Sequence, residues 1–388
     1  MSPDEPQLSF EVLRAQHGDC LLLHYGQEIV LIDGGPSSVY ESALLPRIEE
    51  LAEQRGEPLW LRMIMVSHID DDHIVGLAEM FAEARDREVE RRGPKLWQAG
   101  ELWFNAFGAL TRAGGTASPS GVKAVAVDAL VATAPGSESK AVAVGVKNGN
   151  ALYEDAGGLG IPINQSVGGD LVATGTDGAA DVEVLPGLTF TVLAPSSEAL
   201  KKLQDKWEKW ERDHPRADAK AAANLDRSVF NLSSIVVLAK ANGRTLLLTG
   251  DANSDDVLDG LKLAGLLADG GPPLTVDVIK LPHHGSVRNI NAEFFAHVRA
   301  PHYVASANGR DGNPDDAALT LLCDARLGDT EPWTLWLTYG GVPGDGKPGL
   351  HERLAAFFAA RKQDHGQDVD VRFATEGQAH TISLPAPD

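Results

Sequence analysis

His68-Ile69-Asp70-Asp71-Asp72-His73 decides how this chain reads. The ligand-type residues His68, Asp70, Asp72 and His73 are packed more tightly than ordinary surface chemistry requires. The run before them, Arg62-Met63-Ile64-Met65-Val66-Ser67, predicts a buried β-strand. The run after them, from Ile74 to about Arg92, predicts an amphipathic helix with Ile74, Leu77, Ala78 and Phe81 on one face. The cluster therefore falls on a strand-to-helix turn, where side chains can converge. Imidazole nitrogens and carboxylate oxygens are the ligands expected of a hydrolytic metal centre. An N-cap and the helix dipole explain one or two acidic residues at a helix start. They explain poorly a packed set that follows an apolar strand.

The pattern H-x-D-x-D-H resembles the H-x-H-x-D-H motif of the metallo-β-lactamase fold, with Asp70 in place of the second His. In this it is similar to the hydrolase domain of the ComEC competence DNA-uptake proteins and its free-standing relatives. Other segments follow in the same order. Gln16-His17-Gly18-Asp19-Cys20 and Leu31-Ile32-Asp33-Gly34-Gly35 resemble the opening hairpin, with His17 where those domains carry Gln. Leu159-Gly160-Ile161-Pro162, Gly169-Asp170 and Val192-Leu193-Ala194-Pro195 resemble the middle segment. Thr249-Gly250-Asp251 and His283-His284-Gly285-Ser286 match the T-G-D and H-H-G-S elements.

The resemblance implies an α/β protein, an αβ/βα sandwich of two mixed β-sheets with outer helices. It implies one domain over 7–388, with a Gly/Ala-rich insertion or connector at about 108–187. The expected metal ligands are His68, Asp70, Asp72, His73, Asp251 and His283. Asp251 would bridge two divalent ions, zinc or manganese, and Asp33, at a strand end, would either orient the site from behind or serve only to shape its turn. The first ion's ligands are oxygen-rich, which favours manganese there. Asp72, His284 and Asn231 are the expected catalytic residues, and Ser286 and Arg288 the expected substrate contacts. Asn231 stands where most of the superfamily carries a ligand His, and Asn313 where ComEC domains often carry a further His. Asn291 is expected to cap a helix, and His302 to be structural.

Composition narrows the setting. Cys20 and Cys323 give no disulfide framework. Met1 to Pro6 is polar and acidic, so no signal peptide is expected. No apolar run approaches a membrane span, so neither a membrane partner nor the ComEC channel is expected. A cytoplasmic protein follows as the expectation. The net charge of −21, from 34 basic and 55 acidic residues, argues against a tight grip on long duplex nucleic acid.

Strands are predicted at 8–14, 20–25, 28–33, 233–240, 244–249, 275–281, 301–306, 332–338, 369–375 and 379–384, with a further one at Glu101 to Phe104. Helices are predicted at about Val39 to Arg55, Val122 to Thr133, Glu198 to Arg212, 254–267, 291–298, 314–326 and 350–361. From Gly108 to Gly187 the texture turns to Gly, Ala, Ser and Val, which reads equally as a lid and as a surface insertion. The leading functional expectation is a phosphodiesterase or nuclease that uses a dinuclear metal-activated hydroxide on a phosphodiester substrate such as DNA or RNA. The alternatives are an ester or lactone hydrolase on the same fold, and a latent effector released by a regulatory protein partner or a protease.

Overall fold

The computed structural model describes residues 6–56, 58–90, 95–106, 137–169, 171–175, 178–202, 205, 233–340 and 349–387. Among them, one sheet runs β18 (His380–Leu384), β1 (Leu8–Val12), β2 (Leu21–Tyr25), β3 (Glu28–Ile32), β5 (Met63–Met65), β7 (Leu102–Trp103). A second runs β17 (Asp370–Phe373), β16 (Thr334–Leu337), β15 (His302–Ala305), β13 (Val278–Lys280), β11 (Arg244–Leu248), β10 (Val236–Ala241), β9 (Leu188–Ala194), β8 (Ala180–Leu185). Two short parallel pairs, β4 (Leu59–Leu61) with β6 (Trp97–Ala99) and β12 (Leu274–Thr275) with β14 (Val298–Arg299), flank them. The helices are α1 (Leu45–Arg55), α2 (Asp71–Glu90), α3 (Ser137–Leu159), α4 (Ser254–Leu263), α5 (Ala292–His297), α6 (Asp316–Ala325) and α7 (Leu350–His365).

Period-two alternation sorts each strand between two cores. Leu21 and Leu23 of β2 join Phe190, Val237, Leu246 and Val278 of the other sheet in a core between the sheets. Leu22 turns the other way, toward Ile48 of α1, Leu77 and Phe81 of α2 and Leu152 of α3. The second sheet's far face packs on Val257 and Leu261 of α4, Phe294 of α5, Leu322 of α6 and Leu354 of α7. The result is a mixed α/β architecture layered helix, sheet, sheet, helix. Both sheets are mixed: β1, β2 and β3 pair antiparallel, and β3, β5 and β7 pair parallel.

Element positions differ from expectation at a few points. The helix expected from Ile74 begins at Asp71, because Asp71 and Asp72 form its first turn, where exposed N–H groups favour carboxylates. The helix expected from Val39 is a π turn, Tyr40–Leu44, followed by α1. Pro46 lacks the N–H that would continue a regular helix through that junction. The helix expected at Val122 to Thr133 lies outside the described residues, as does most of the one expected at Glu198 to Arg212. The described part of the 108–187 stretch carries α3, β8 and other ordered backbone. Helix α3 packs on the motif turn itself: a Cβ on Gly145 would fall 2.0 Å from the Ile69 carbonyl oxygen. The small residues that gave this region its texture are what permit that approach.

One buried ion cluster ties β1 and β2 to α1. Glu11, 3 % exposed, takes the His24 Nε2 at 2.7 Å and the Arg47 Nε at 2.8 Å. Burial alone would raise the Glu11 pKa, but the bonds from His24 and Arg47 hold it below its usual 4.5. Its folded pKa is thus depressed, so its stabilisation is full above about pH 4.5 and fades as pH falls through the folded value. We expect Glu11→Gln to cost about 1–3 kcal/mol at neutral pH. Urea unfolding at pH 7 and again well below pH 4.5 should show the gap between wild type and variant closing.

Candidate metal centre

Turns at three strand ends build the site. After β5, the chain bends at Ser67 to Asp70 and enters α2, presenting His68, Asp70, Asp72 and His73. After β11, Thr249-Gly250-Asp251 turns with Thr249 Oγ1 donating to the Lys280 carbonyl at 2.6 Å. After β13, His283 and His284 lie in the left-handed region, at φ 46° and 57°. Two successive non-glycine residues there store strain of the kind that accumulates at functional sites. Gly285, at φ 85°, completes the turn where a Cβ would meet Pro314 at 2.6 Å. The His283 N–H donates to the Gly250 carbonyl at 3.1 Å, which locks the second and third turns together.

Asp251 lies at the middle of the convergence and is 1 % exposed. Its carboxylate oxygens stand 3.3 Å from His73 Nε2, 3.5 Å from His283 Nε2, 3.7 Å from His284 Nε2 and 3.8 Å from His68 Nε2. His68 Nε2 is also 3.8 Å from Asp70, and His284 Nε2 is 3.6 Å from Asp72. The Nε2 atoms of His68, His73 and His284, with Asp251 Oδ1, are buried and make no well-formed hydrogen bond. Such orphans are rare in folded interiors. Two ligands each about 2.1 Å from one tetrahedral ion lie about 3.4 Å apart, which is the spacing seen here. The sets His68–His73–Asp251 and Asp72–His73–His284 each bring one donor atom per residue within 4.8 Å of the others. The donor set therefore fits divalent cations.

The imidazoles are aimed by partners behind them. His73 Nδ1–H donates to Asp33 at 2.8 Å, and Asp33 accepts the Ser67 N–H at 2.7 Å and its hydroxyl at 2.6 Å. His283 Nδ1–H donates to Asn289 Oδ1 at 2.7 Å, and Asn289 Nδ2 donates to the Asp251 carbonyl at 2.9 Å. A ring nitrogen engaged in this way fixes the ring's orientation and turns the other nitrogen toward Asp251, where a cation would sit. Asp19, 1 % exposed, faces His284 Nδ1 at 3.5 Å and takes Lys280 Nζ at 2.6 Å.

The electrostatics follow from this packing. Burial pushes the His68 imidazole down to about 3, with His73 adding to the shift. Burial opposes charge on His73 and His284 too, but Asp251 with Asp33 raises His73, and Asp251 with Asp19 raises His284 to about 9. Burial likewise opposes ionisation of Asp251, yet His283 and His73 hold it well below the carboxylate range. A cation bound here competes with protons on His73 and His284, so metal binding releases protons.

The other expected residues are placed as follows. Ser286 is 5 % exposed and sits within the turn, with its N–H on the His283 carbonyl at 2.9 Å. Arg288 is exposed on the following loop. Asn231 lies outside the described residues. Asn313 Nδ2 reaches the His283 carbonyl at 3.4 Å. Asn291 caps α5, accepting the Phe294 N–H at 3.0 Å. His302 opens β15 and accepts the Trp336 indole N–H at 3.3 Å, a structural bond. Sequence reading did not pick out Lys280 or Asn289, and it placed Asp19 in the hairpin without a role. The signal for Lys280 was a lysine inside an apolar strand, a residue almost never fully buried without a partner.

No protein-family profile matches the chain. Its matches among characterised proteins are short. Microtubule-associated protein 1A is 35 % identical over 78 residues in Mus musculus and 38 % over 79 residues in Rattus norvegicus, in each case 19 % of this chain and 3 % of the relative. Microtubule-associated protein 1S of Bos taurus is 33 % identical over 93 residues, 24 % of this chain and 8 % of the relative. The matched segment thus spans a small fraction of those proteins. Among solved structures, a Parabacteroides distasonis protein provisionally named a metal-dependent hydrolase aligns with TM-score 0.31 and 11 % identity, over 93 % of this chain and 91 % of that one. An Enterococcus faecalis protein of unknown function aligns with TM-score 0.28 and 10 % identity, over 96 % of this chain and 71 % of that one. Likenesses of that strength carry no functional argument.

Proposed function

We propose that this chain is a metal-dependent hydrolase of the metallo-β-lactamase type and that its substrate is a phosphodiester. The convergence of His68, His73, His284 and Asp251 supports this most: four buried groups whose donor atoms face one another at metal-ligand spacing. Two divalent ions held there would supply Lewis acidity and a nucleophile at neutral pH. His68, Asp70, Asp72, His73, Asp251, His283 and His284 would hold them. Asp72, held ionised against burial by His284 and His73, would position or deprotonate the water. Arg288 and Arg310 are exposed cations on the loops after β13 and β15, and Arg310 Nη1 stands 3.4 Å from His17 Nε2. Cations so placed suit a phosphate that approaches the site. The overall charge of −21 favours short or single-stranded phosphodiesters over long duplexes.

The test is hydrolysis of labelled single- and double-stranded DNA and of a small aryl phosphodiester, with Mn²⁺, Mg²⁺ or Zn²⁺, beside Asp72→Ala. Metal-dependent turnover that falls about 10²–10⁴-fold in the variant is the expected outcome. Turnover of esters or lactones with no phosphodiester cleaved would overturn the substrate class.

A further inference from the structure

A buried ion pair beside the centre has no part in that chemistry. Lys280 and Asp19 each expose 1 % of their side chains, and Nζ lies 2.6 Å from Asp19 Oδ2. Lys280 also donates to the Leu281 carbonyl at 3.1 Å. Lys280 belongs to β13 of the second sheet, and Asp19 precedes β2 of the first, so the pair bridges the two sheets at the site. An apolar pair of similar volume would often serve stability as well or better. Its presence beside the centre therefore points to a role other than cohesion.

The geometry points to Asp19 and Lys280 as a positioning pair for His284, an inference that rests on the metal-centre reading. With Oδ2 held by Lys280, the Oδ1 of Asp19 faces His284 Nδ1 at 3.5 Å. That leaves His284 Nε2 directed at Asp72 Oδ2, 3.6 Å away, and Asp251 Oδ1, 3.7 Å away. The Asp19–His284 contact is an ion-pair approach and not a formed hydrogen bond; a hydrogen-bonded counterpart stands on the other side of Asp251. There Asp33 holds His73 Nδ1 at 2.8 Å while Nε2 faces Asp251 at 3.3 Å. Ser67 fixes Asp33 through a hydroxyl and an N–H; an ammonium fixes Asp19. A carboxylate behind an imidazole sets its tautomer and raises its basicity as a ligand. The lysine does more than neutralise charge. It keeps Asp19 out of the ion's own ligand set, although Asp19, Asp251 and His284 are close enough together to share a cation.

The experiment compares wild type with Asp19→Asn, Lys280→Met and the Asp19→Asn/Lys280→Met double variant. Mn²⁺ and Zn²⁺ affinities are measured by chelator competition on the full chain, and folding by circular dichroism and Tm. Each single variant is expected to weaken one of the ion sites about 10–100-fold. The double variant, which buries no unpaired charge, is expected to regain most of the lost Tm and none of the lost affinity. Wild-type affinity in the double variant would show that the pair only holds the fold, and would overturn the proposal. So would equal or tighter binding in Lys280→Met, the result if Asp19 were a direct ligand. A wild-type chain that binds no ion would overturn the metal-centre reading and this inference together, whereas binding that is unchanged in every variant overturns this inference alone.

Discussion

Asp251→Asn should abolish metal retention and hydrolysis while leaving the fold in place. The substitution keeps the shape of the side chain and removes the charge on which four imidazoles converge, at 3.3, 3.5, 3.7 and 3.8 Å. Loss of an outer partner already costs about 10–100-fold in metal affinity, so loss of the shared central carboxylate should exceed 100-fold. A bound ion contributes several kcal/mol to the reaction, and each 1.4 kcal/mol is tenfold in rate, so turnover should fall by about 10²–10³ or more. Elemental analysis after gel filtration and phosphodiester turnover are the two readouts. A variant that retains wild-type metal content would remove Asp251 from the centre.

Gly18→Ala should damage stability and activity together, although Gly18 bears no functional group. A Cβ at Gly18 would fall 1.8 Å from the Asp72 carbonyl oxygen, 2.7 Å from its carbon and 2.8 Å from Pro36 Cδ. The neighbouring Asp19 N–H donates to that same oxygen at 3.2 Å. The turn therefore rests directly on the peptide that carries Asp72, and either the turn or Asp72 must move. Overpacking of this kind costs about 1–3 kcal/mol. A displacement near 1 Å at a reacting group costs about 10²-fold in rate. Gly157→Ala in α3, with nothing within 4 Å of the added carbon, is the control and should leave Tm unchanged or raised. Equal behaviour of the two variants in Tm and turnover would contradict the account.

The candidate centre was legible where its residues are local in sequence. The motif from His68 to His73 carries its candidate ligands on one turn, and Asp251 and His283-His284 each follow an apolar run that reads as a strand. Most second-half elements were legible for the same reason, since apolar strands alternate there with amphipathic helices. What was not legible depends on contacts between distant segments. Nothing local to Asp19 announces Lys280, and nothing local to His284 announces Asp19. Asn289 reads as a loop residue until the fold sets it between His283 and the Asp251 carbonyl. Helix α3 was missed because its Gly and Ala residues look like a breaker-rich connector. They serve instead as a smooth face, with Gly145 against Ile69 and Gly149 3.2 Å from Phe104 by its would-be Cβ. The β8–β9 hairpin did carry a signal, since Val182 and Val184 alternate with Asp181 and Glu183 before a Pro186-Gly187 turn.

The central claim is that the buried His and Asp cluster is a metal centre, and the count of bound ions tests it most directly. The chain is stripped with chelator, titrated with Mn²⁺ and separately with Zn²⁺, gel-filtered, and its ions counted per chain by elemental analysis. The account predicts about two ions per wild-type chain, lost in Asp251→Asn, with a raised Tm for the loaded protein. A folded wild-type chain that retains no ion of either kind, with its Tm unmoved, would contradict it.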